Sequence, residues 1–472
     1  MRTYEPLCAG TPDADDEINA VDEMLHHLRL AAPLMFLHLM DYLPGVTNIY
    51  LVGQLHGAAE ADMNMNAAAL STSFLNMTST SIGMGLCSAV GILCAQAYGA
   101  KHTKQFNAYL HAAVLGTLLA MIPIIAVTWH SDMVFTLMGH NPATSSKAAT
   151  FTILSSFGLP FFFVFEILRK MLQAHSAVDG MAMISMAANG VHVSVGYYLT
   201  HHTSWGVYGA AVGRSISNVS LVAATLIYFQ FEPTYKSWQL QWQPSLAGTH
   251  LMEFFRFGLP GMLMCWVEFG SLWLLSYLAA HLPHAYVQTR VNTILCHVLS
   301  MMYVVYLGIS TASMVRVGNL LGANRPHHAK TIMRLSFALV AVCLVFTATC
   351  IWTTRHLLAS AFFGESDVVQ SASKALLFIL PLHVLNSINT NAQGVFRGMG
   401  RPGAGALITF VSVFCVGLPS AAALGLHLRN DVIGLWEGLT MGAAVSLAVF
   451  VMILQRIEWA AVATAAKIRS EE

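Results

Sequence analysis

The chain has 472 residues, 56% of them hydrophobic and 10% charged, with a formal net charge of zero. A mean hydropathy of +0.60 lies outside the range of soluble domains and marks a polytopic membrane protein. No basic block can track a nucleic-acid backbone, so nucleic acid is not an expected partner, and the eight cysteines lack metal-ligand spacing and read as packing residues.

The first two dozen residues carry Asp13, Asp15, Asp16, Glu17, Asp22 and Glu23. A cleavable signal would have a basic end and an apolar core there, so residues 1–27 are expected to be a disordered or interfacial tail. Twelve long apolar stretches follow, at about 28–52, 66–94, 106–129, 148–168, 181–200, 205–230, 251–280, 286–312, 332–353, 373–395, 404–427 and 432–456. A helix needs about 20 apolar residues to cross about 30 Å of hydrocarbon. A barrel would show short alternating segments instead. The expected fold is an all-α membrane protein with twelve transmembrane helices.

Twelve spans put both termini on one side. Of the 23 Lys and Arg residues, only Lys147, Arg290, Arg355, Lys374 and Arg429 fall on the opposite side, and Arg214 lies inside a span. The positive-inside rule then makes the termini cytoplasmic.

The first apolar stretch opens with RLAAPLMFLHLMD, placing Arg29, Pro33 and Asp41 in a spacing that Arg256, Pro260 and Glu268 repeat 227 positions later in RFGLPGMLMCWVE. Gly85–Ala100 aligns with Gly308–Ala323 at an offset of 223, and Pro160 precedes Pro381 by 221. Three anchors in one order indicate duplication. Six spans per copy is an even number, so the two six-helix lobes are related by a pseudo-twofold axis along the membrane normal. The boundaries are a first lobe at 28–231, a polar cytoplasmic linker at 232–245, a second lobe at 246–456 and a C-terminal tail at 457–472.

An acid inside a hydrophobic span is a functional candidate by default. Asp41 lies twelve residues beyond Arg29, or about 18 Å of helix, and Glu268 sits at the equivalent depth. Loss of hydration penalises an ionised carboxylate and lets it exchange protons near neutral pH. The same group, once ionised, attracts an organic cation. Each acid is therefore a proton or cation coupling candidate, with a structural hydrogen-bond acceptor as the alternative. Pro44 cannot donate to the Met40 carbonyl, so a kink is expected beside Asp41, and protonation of Asp41 could act on it. Asn76, Asn189, Asn386 and Asn389 are candidates for a central cleft or for helix-to-helix hydrogen bonds. Glu166 precedes Arg169 and Lys170 by three and four residues, a helical ion-pair spacing that reads as structural.

The motifs name a family. GMGLCSAVGILCAQAYGAKH resembles the stretch that in the multidrug and toxic compound extrusion (MATE) family reads G-x-x-x-A-L-x-T-L-C-G-Q-A-x-G-A. ASMVRVGNLLGANRP resembles that family's A-S-x-R-V-G-N-x-L-G-A-G, FRGMGRPGAGA its R-G-x-G-x-Q motif, and KMLQAHSAVDG its R-x-L-Q-A-Q element. The region from FFRFGLP to Leu282-Pro283 is similar to the seventh helix of eukaryotic members. The resemblance runs from about Arg29 to the twelfth helix.

It implies a secondary antiporter that exports organic, mainly cationic, compounds in exchange for protons, or for sodium, by alternating access. It implies no enzyme activity and no bound cofactor, with membrane lipid and small cations as the partners of a monomer in a plasma, vacuolar or other organelle membrane. Glu268 matches the family's seventh-helix Cys-Leu-Glu motif, here Trp266-Val267-Glu268, which also places Trp266 at the substrate cleft. Several positions depart from the family. Trp273 stands where eukaryotic relatives have a second glutamate and Asn386 where many have a tenth-helix acid. His297 replaces an eighth-helix glutamate and is a candidate to share the titration. A lipid or oligosaccharide flippase of the same superfamily is the alternative, and a membrane-embedded transferase a more distant one.

Overall fold

The computed structural model describes residues 20–53, 55, 58–139, 141–231, 247–429 and 431–471, and within them every regular element is helical. The first half holds α1 (Ala20–Gly53) and α2 (Ala58–Leu75), which runs through a π-helical turn at Asn76–Thr80 into α3 (Ser81–Gly99). There follow α4 (Thr103–Trp129), the short α5 (Ser131–Leu137), α6 (Pro142–Ser156), α7 (Leu159–Ala174), α8 (Asp179–His201) and α9 (Val207–Phe231). The second half holds α10 (Leu251–Ala279), α11 (Ala285–Gly322), α12 (Pro326–Phe362), α13 (Ser366–Phe378) and α14 (Leu380–Gly398). It closes with α15 (Pro402–Phe410), a π-helical turn, α16 (Leu418–Ala422), a second such turn, α17 (Val432–Arg456) and α18 (Trp459–Glu471).

Eight continuous helical stretches, two of them α2 with α3 and α15 with α16 joined through the π-helical turns, or ten if each bent pair is one span, are long and apolar enough to cross a membrane. The bent pairs are α6 with α7 at 48° and α13 with α14 at 51°. Pro160 and Pro381 sit at the starts of α7 and α14, where a missing N–H breaks the helical ladder and permits the bend. The two repeat prolines thus make the same bend in each half. The other two of the twelve apolar stretches are covered by α1 and α8.

The duplication is visible atom by atom. A Cβ on Gly85 of α3 would fall 2.3 Å from the Met262 Cα of α10, and one on Gly308 of α11 would fall 2.6 Å from the Met35 backbone of α1. Met35 and Met262 are related by the offset of 227, Gly85 and Gly308 by that of 223. A Cβ on Gly99 would meet the Asn319 carbonyl oxygen at 2.0 Å, and one on Gly322 the Gln96 carbonyl oxygen at 2.1 Å. Only hydrogen fits at these four positions. The lobes therefore meet at α1 against α11, at α10 against α3 and, on the pseudo-twofold itself, at α3 against α11.

Polar contacts repeat the pattern at the face that holds the start of α1 and the end of the chain, here the terminal face. Gln96 Nε2 donates to the carbonyl of Gly398, the last residue of α14, at 3.0 Å. Asn319 Nδ2 donates to the carbonyl of Ala174, the last residue of α7, at 3.3 Å. Asp22 and Glu23 belong to the first turn of α1 rather than to a disordered tail, and Glu23 pairs across the lobes with the buried Arg316 of α11. The remaining acidic residues of the N-terminal stretch and the expected linker at 232–245 lie outside the described residues. Within the expected C-terminal tail, α18 buries Trp459, Val462, Ala463 and Ala466 against second-lobe residues including Val317, Leu320, Val395, Phe396 and Phe450.

Candidate functional site

Glu268 lies on α10, an apolar helix whose neighbour α11 supplies Tyr303. The Tyr303 hydroxyl donates to Glu268 Oε2 at 2.8 Å. Both line a cavity of about 140 Å³ together with Ser271, Ser300, His383, Asn386, Asn389, Gln393 and Trp436. Among the described residues no cation lies within ion-pair distance of Glu268. Arg397 acts on it only at longer range and donates instead to Ser310 Oγ at 3.1 Å. The site is one carboxylate with one neutral donor in a cavity walled by hydroxyls, amides and aromatic rings. Asn389 anchors one wall by donating to the Ala443 carbonyl at 2.9 Å, while its buried Oδ1 is left without a hydrogen-bond partner.

Asp41 occupies the equivalent place in the first lobe and has a different chemistry. Arg169 Nη1 of α7 donates to Asp41 Oδ2 at 2.5 Å, and Arg169 Nη2 donates to Glu166 Oε2 at 2.7 Å. His38 Nδ1 stands 3.3 Å from the same Asp41 oxygen. Arg169 and Glu166 are fully buried, and the buried Lys170 donates to Gln173 Oε1 at 3.2 Å. At the offset that relates Pro160 to Pro381, Glu166 corresponds to Ser387 and Arg169 to Thr390, both of which line the Glu268 cavity. Two ionic side chains thus stand in the first lobe where two small hydroxyl residues stand in the second. Reading Glu166 and Arg169 as a local helical pair missed their link to Asp41. The repeat itself held the signal, because the same offset leads from Arg169 to a cavity wall.

The other candidates divide. Asn386 and Asn389 line the Glu268 cavity. Trp266 does not line it and stacks on Phe414, with ring centroids 6.1 Å apart. Asn76 opens the π-helical turn after α2, away from the cavity lining. His297 also lies outside that lining. Its Nδ1 is 2.7 Å from the Tyr42 hydroxyl of α1, and its ring stacks on Phe362. It joins the lobes instead of sharing the Glu268 cavity. The histidine that does line the cavity is His383, which no sequence signal singled out; its Nε2 lies 2.9 Å from Thr347 Oγ1.

The helix carrying Pro44 runs unbroken from Ala20 to Gly53. The Met40 carbonyl that Pro44 leaves free accepts from Asn189 Nδ2 of α8 at 3.0 Å. Through that bond α8 holds α1 at the carbonyl its proline leaves free, one residue from Asp41.

The MatE family model matches residues 33–198 and 260–422. Multidrug and toxin extrusion protein 1 of Danio rerio is 26% identical over 453 residues, spanning 96% of this chain and 75% of that protein. Protein DETOXIFICATION 16 of Arabidopsis thaliana is 27% identical over 441 residues, spanning 92% and 88%. The crystal structure of the eukaryotic MATE transporter AtDTX14 shares the fold with a TM-score of 0.90 at 24% identity, covering 96% of this chain and 99% of that one.

Proposed function

Because the chain belongs to the MatE family of membrane transporters, we propose that it exports small organic cations in exchange for protons, with Glu268 carrying proton and substrate in alternation. The observation that supports this most directly is the contrast between the two acids. Asp41 is neutralised by Arg169 at 2.5 Å, whereas Glu268 faces a cavity with a tyrosine hydroxyl as its side-chain hydrogen-bond partner. A carboxylate with no resident counter-ion takes either a proton or a cationic ligand. Aromatic surface at Tyr303 and Trp436 suits the flat apolar body of an organic cation, for which the cavity of about 140 Å³ must widen as the lobes move. The names of the relatives, multidrug and toxin extrusion proteins, fit a broad substrate range.

In this reading the terminal face is cytoplasmic, as the distribution of Lys and Arg favours. Lobe separation there would admit substrate, and its closure, the state described above, would leave exit to the other side. No covalent chemistry is involved, and the coupling ion is the only small cofactor of the cycle.

The test is transport by the purified protein in proteoliposomes under an imposed pH gradient or an imposed sodium gradient. Export driven by the pH gradient is expected. Glu268→Gln should abolish it while leaving yield and thermal stability unchanged, and Asp41→Asn should retain it. Near-normal proton-driven export by Glu268→Gln would overturn the assignment, and export that follows only the sodium gradient would replace the coupling ion.

A further inference from the structure

On the terminal face the pseudo-twofold is broken at Gln96. Gln96 and Asn319 are equivalent residues with equivalent cross-lobe bonds, but only Gln96 receives a second partner. Arg469 of α18 donates from Nη1 to Gln96 Oε1 at 2.5 Å. Its backbone carbonyl accepts from the Tyr109 hydroxyl of α4 at 3.2 Å. Its guanidinium also lies 4.9 Å from the centroid of the Phe257 ring on α10. Gly400, with φ 72°, has no side chain to displace it; a Cβ there would fall 2.5 Å from Nη1.

The body of α18 is bound to the second lobe through Trp459, Val462, Ala463 and Ala466, while Gln96 and Tyr109 belong to the first. The hydrogen-bonding end of Arg469 thus crosses the seam at the point where Gly99 and Gly322 bring the two backbones together. From this geometry we propose that α18 is a latch of the transport cycle and that Arg469 is its positioning residue. It holds Gln96 in the orientation that bonds Gly398 and so favours the state closed at the terminal face. The proposal rests on the reading above only in requiring that the lobes part at this face during the cycle. It does not depend on Glu268 or on the coupling ion.

Hydrogen exchange of the full-length protein in lipid nanodiscs, followed by mass spectrometry, tests the latch without any transport measurement. Losing one charge-assisted hydrogen bond shifts an opening equilibrium by roughly ten-fold or more. Arg469→Met is therefore expected to speed exchange by about that factor in segments 91–100 and 314–323 together, with segments around Glu268 unchanged. Arg469→Lys, which keeps a cationic donor, should restore most of the protection. In a Gln96→Leu background, Arg469→Met should add little, because the partner is already gone.

If α18 merely packs on its own lobe, exchange rises in 314–323 alone and the two substitutions add; either result overturns the proposal. Unchanged exchange in both segments overturns it as well. Should Arg469→Met not yield folded protein, Tyr109→Phe removes the hydroxyl that bonds the Arg469 carbonyl and that also contacts Gln105 and Glu253, with Glu253→Gln as the control for the latter contact. The same paired rise, of smaller size, is then expected, and its absence refutes the latch.

Discussion

Arg169→Met removes the one cation bonded to both Asp41 and Glu166. The two bonds, at 2.5 and 2.7 Å, are each charge-assisted and contribute about 1.5–3 kcal/mol. Removing one partner of a buried ionic set costs about 3–5 kcal/mol, because the charges left behind stay desolvated. With an unfolding entropy of about 2.1 cal/mol/K per residue, 4 kcal/mol lowers the melting temperature by about 4 °C if the whole chain unfolds together. The drop is about 9 °C if the first lobe unfolds alone. Heating the protein in detergent and following the monodisperse fraction by size-exclusion chromatography measures this shift. The triple variant Asp41→Asn, Glu166→Gln, Arg169→Met removes the arginine together with both acids it bonds and should recover part of the loss, since the buried Lys170 remains. A single variant as stable as wild type, or a triple variant no better than the single one, would refute the view that Arg169 holds both acids in place.

Two further outcomes follow from the same geometry. Gly99→Ala and Gly322→Ala each place a methyl group about 2 Å from a carbonyl oxygen of the opposite lobe. Such overpacking costs about 1–3 kcal/mol and acts only when the terminal face is closed. Both variants should therefore fold yet export several-fold more slowly, and wild-type rates in both would show that this crossing does not tighten during transport. Asn386→Asp adds a second carboxylate to the 140 Å³ cavity of Glu268. Two acids sharing one site hold a proton more tightly than one, so the pH optimum of export should move upward and strongly basic cations should bind more tightly. Profiles that superimpose on wild type would show that Asn386 takes no part in the site.

The fold was legible because its signals are local. Each apolar stretch reports its own helix, and the repeated R-x-x-x-P and G-A motifs report the duplication without reference to any contact. The bends at Pro160 and Pro381 were present in the sequence as repeat anchors, yet their geometry needed the neighbouring helices. Glu23 was read with the acidic tail because a run of acids precedes it, although Val21, Met24, Leu25 and Leu28 recur around it at helical spacing. Its partner Arg316 is 293 positions away, and no local pattern joins them.

Within the site, the type of residue was legible and its environment was not. Asp41 and Glu268 share spacing, depth and helix context, so sequence alone makes them equivalents. The difference lies on the facing helices, where the first lobe has Glu166 and Arg169 and the second has Ser387 and Thr390. A carboxylate opposite a guanidinium forms a closed ionic set whose dissociation in a low-dielectric interior is costly. A carboxylate opposite hydroxyls leaves a small polar cavity. Duplication supplied two copies of one acid, and substitution at two positions one helix away gave them different chemistry. A similar division separates His297 from His383. The first drew notice because a family acid stands at its position, yet its ring lies between Tyr42 and Phe362. The second lies on α14 just after the bend at Pro381, where it borders the cavity while its ring nitrogen bonds Thr347.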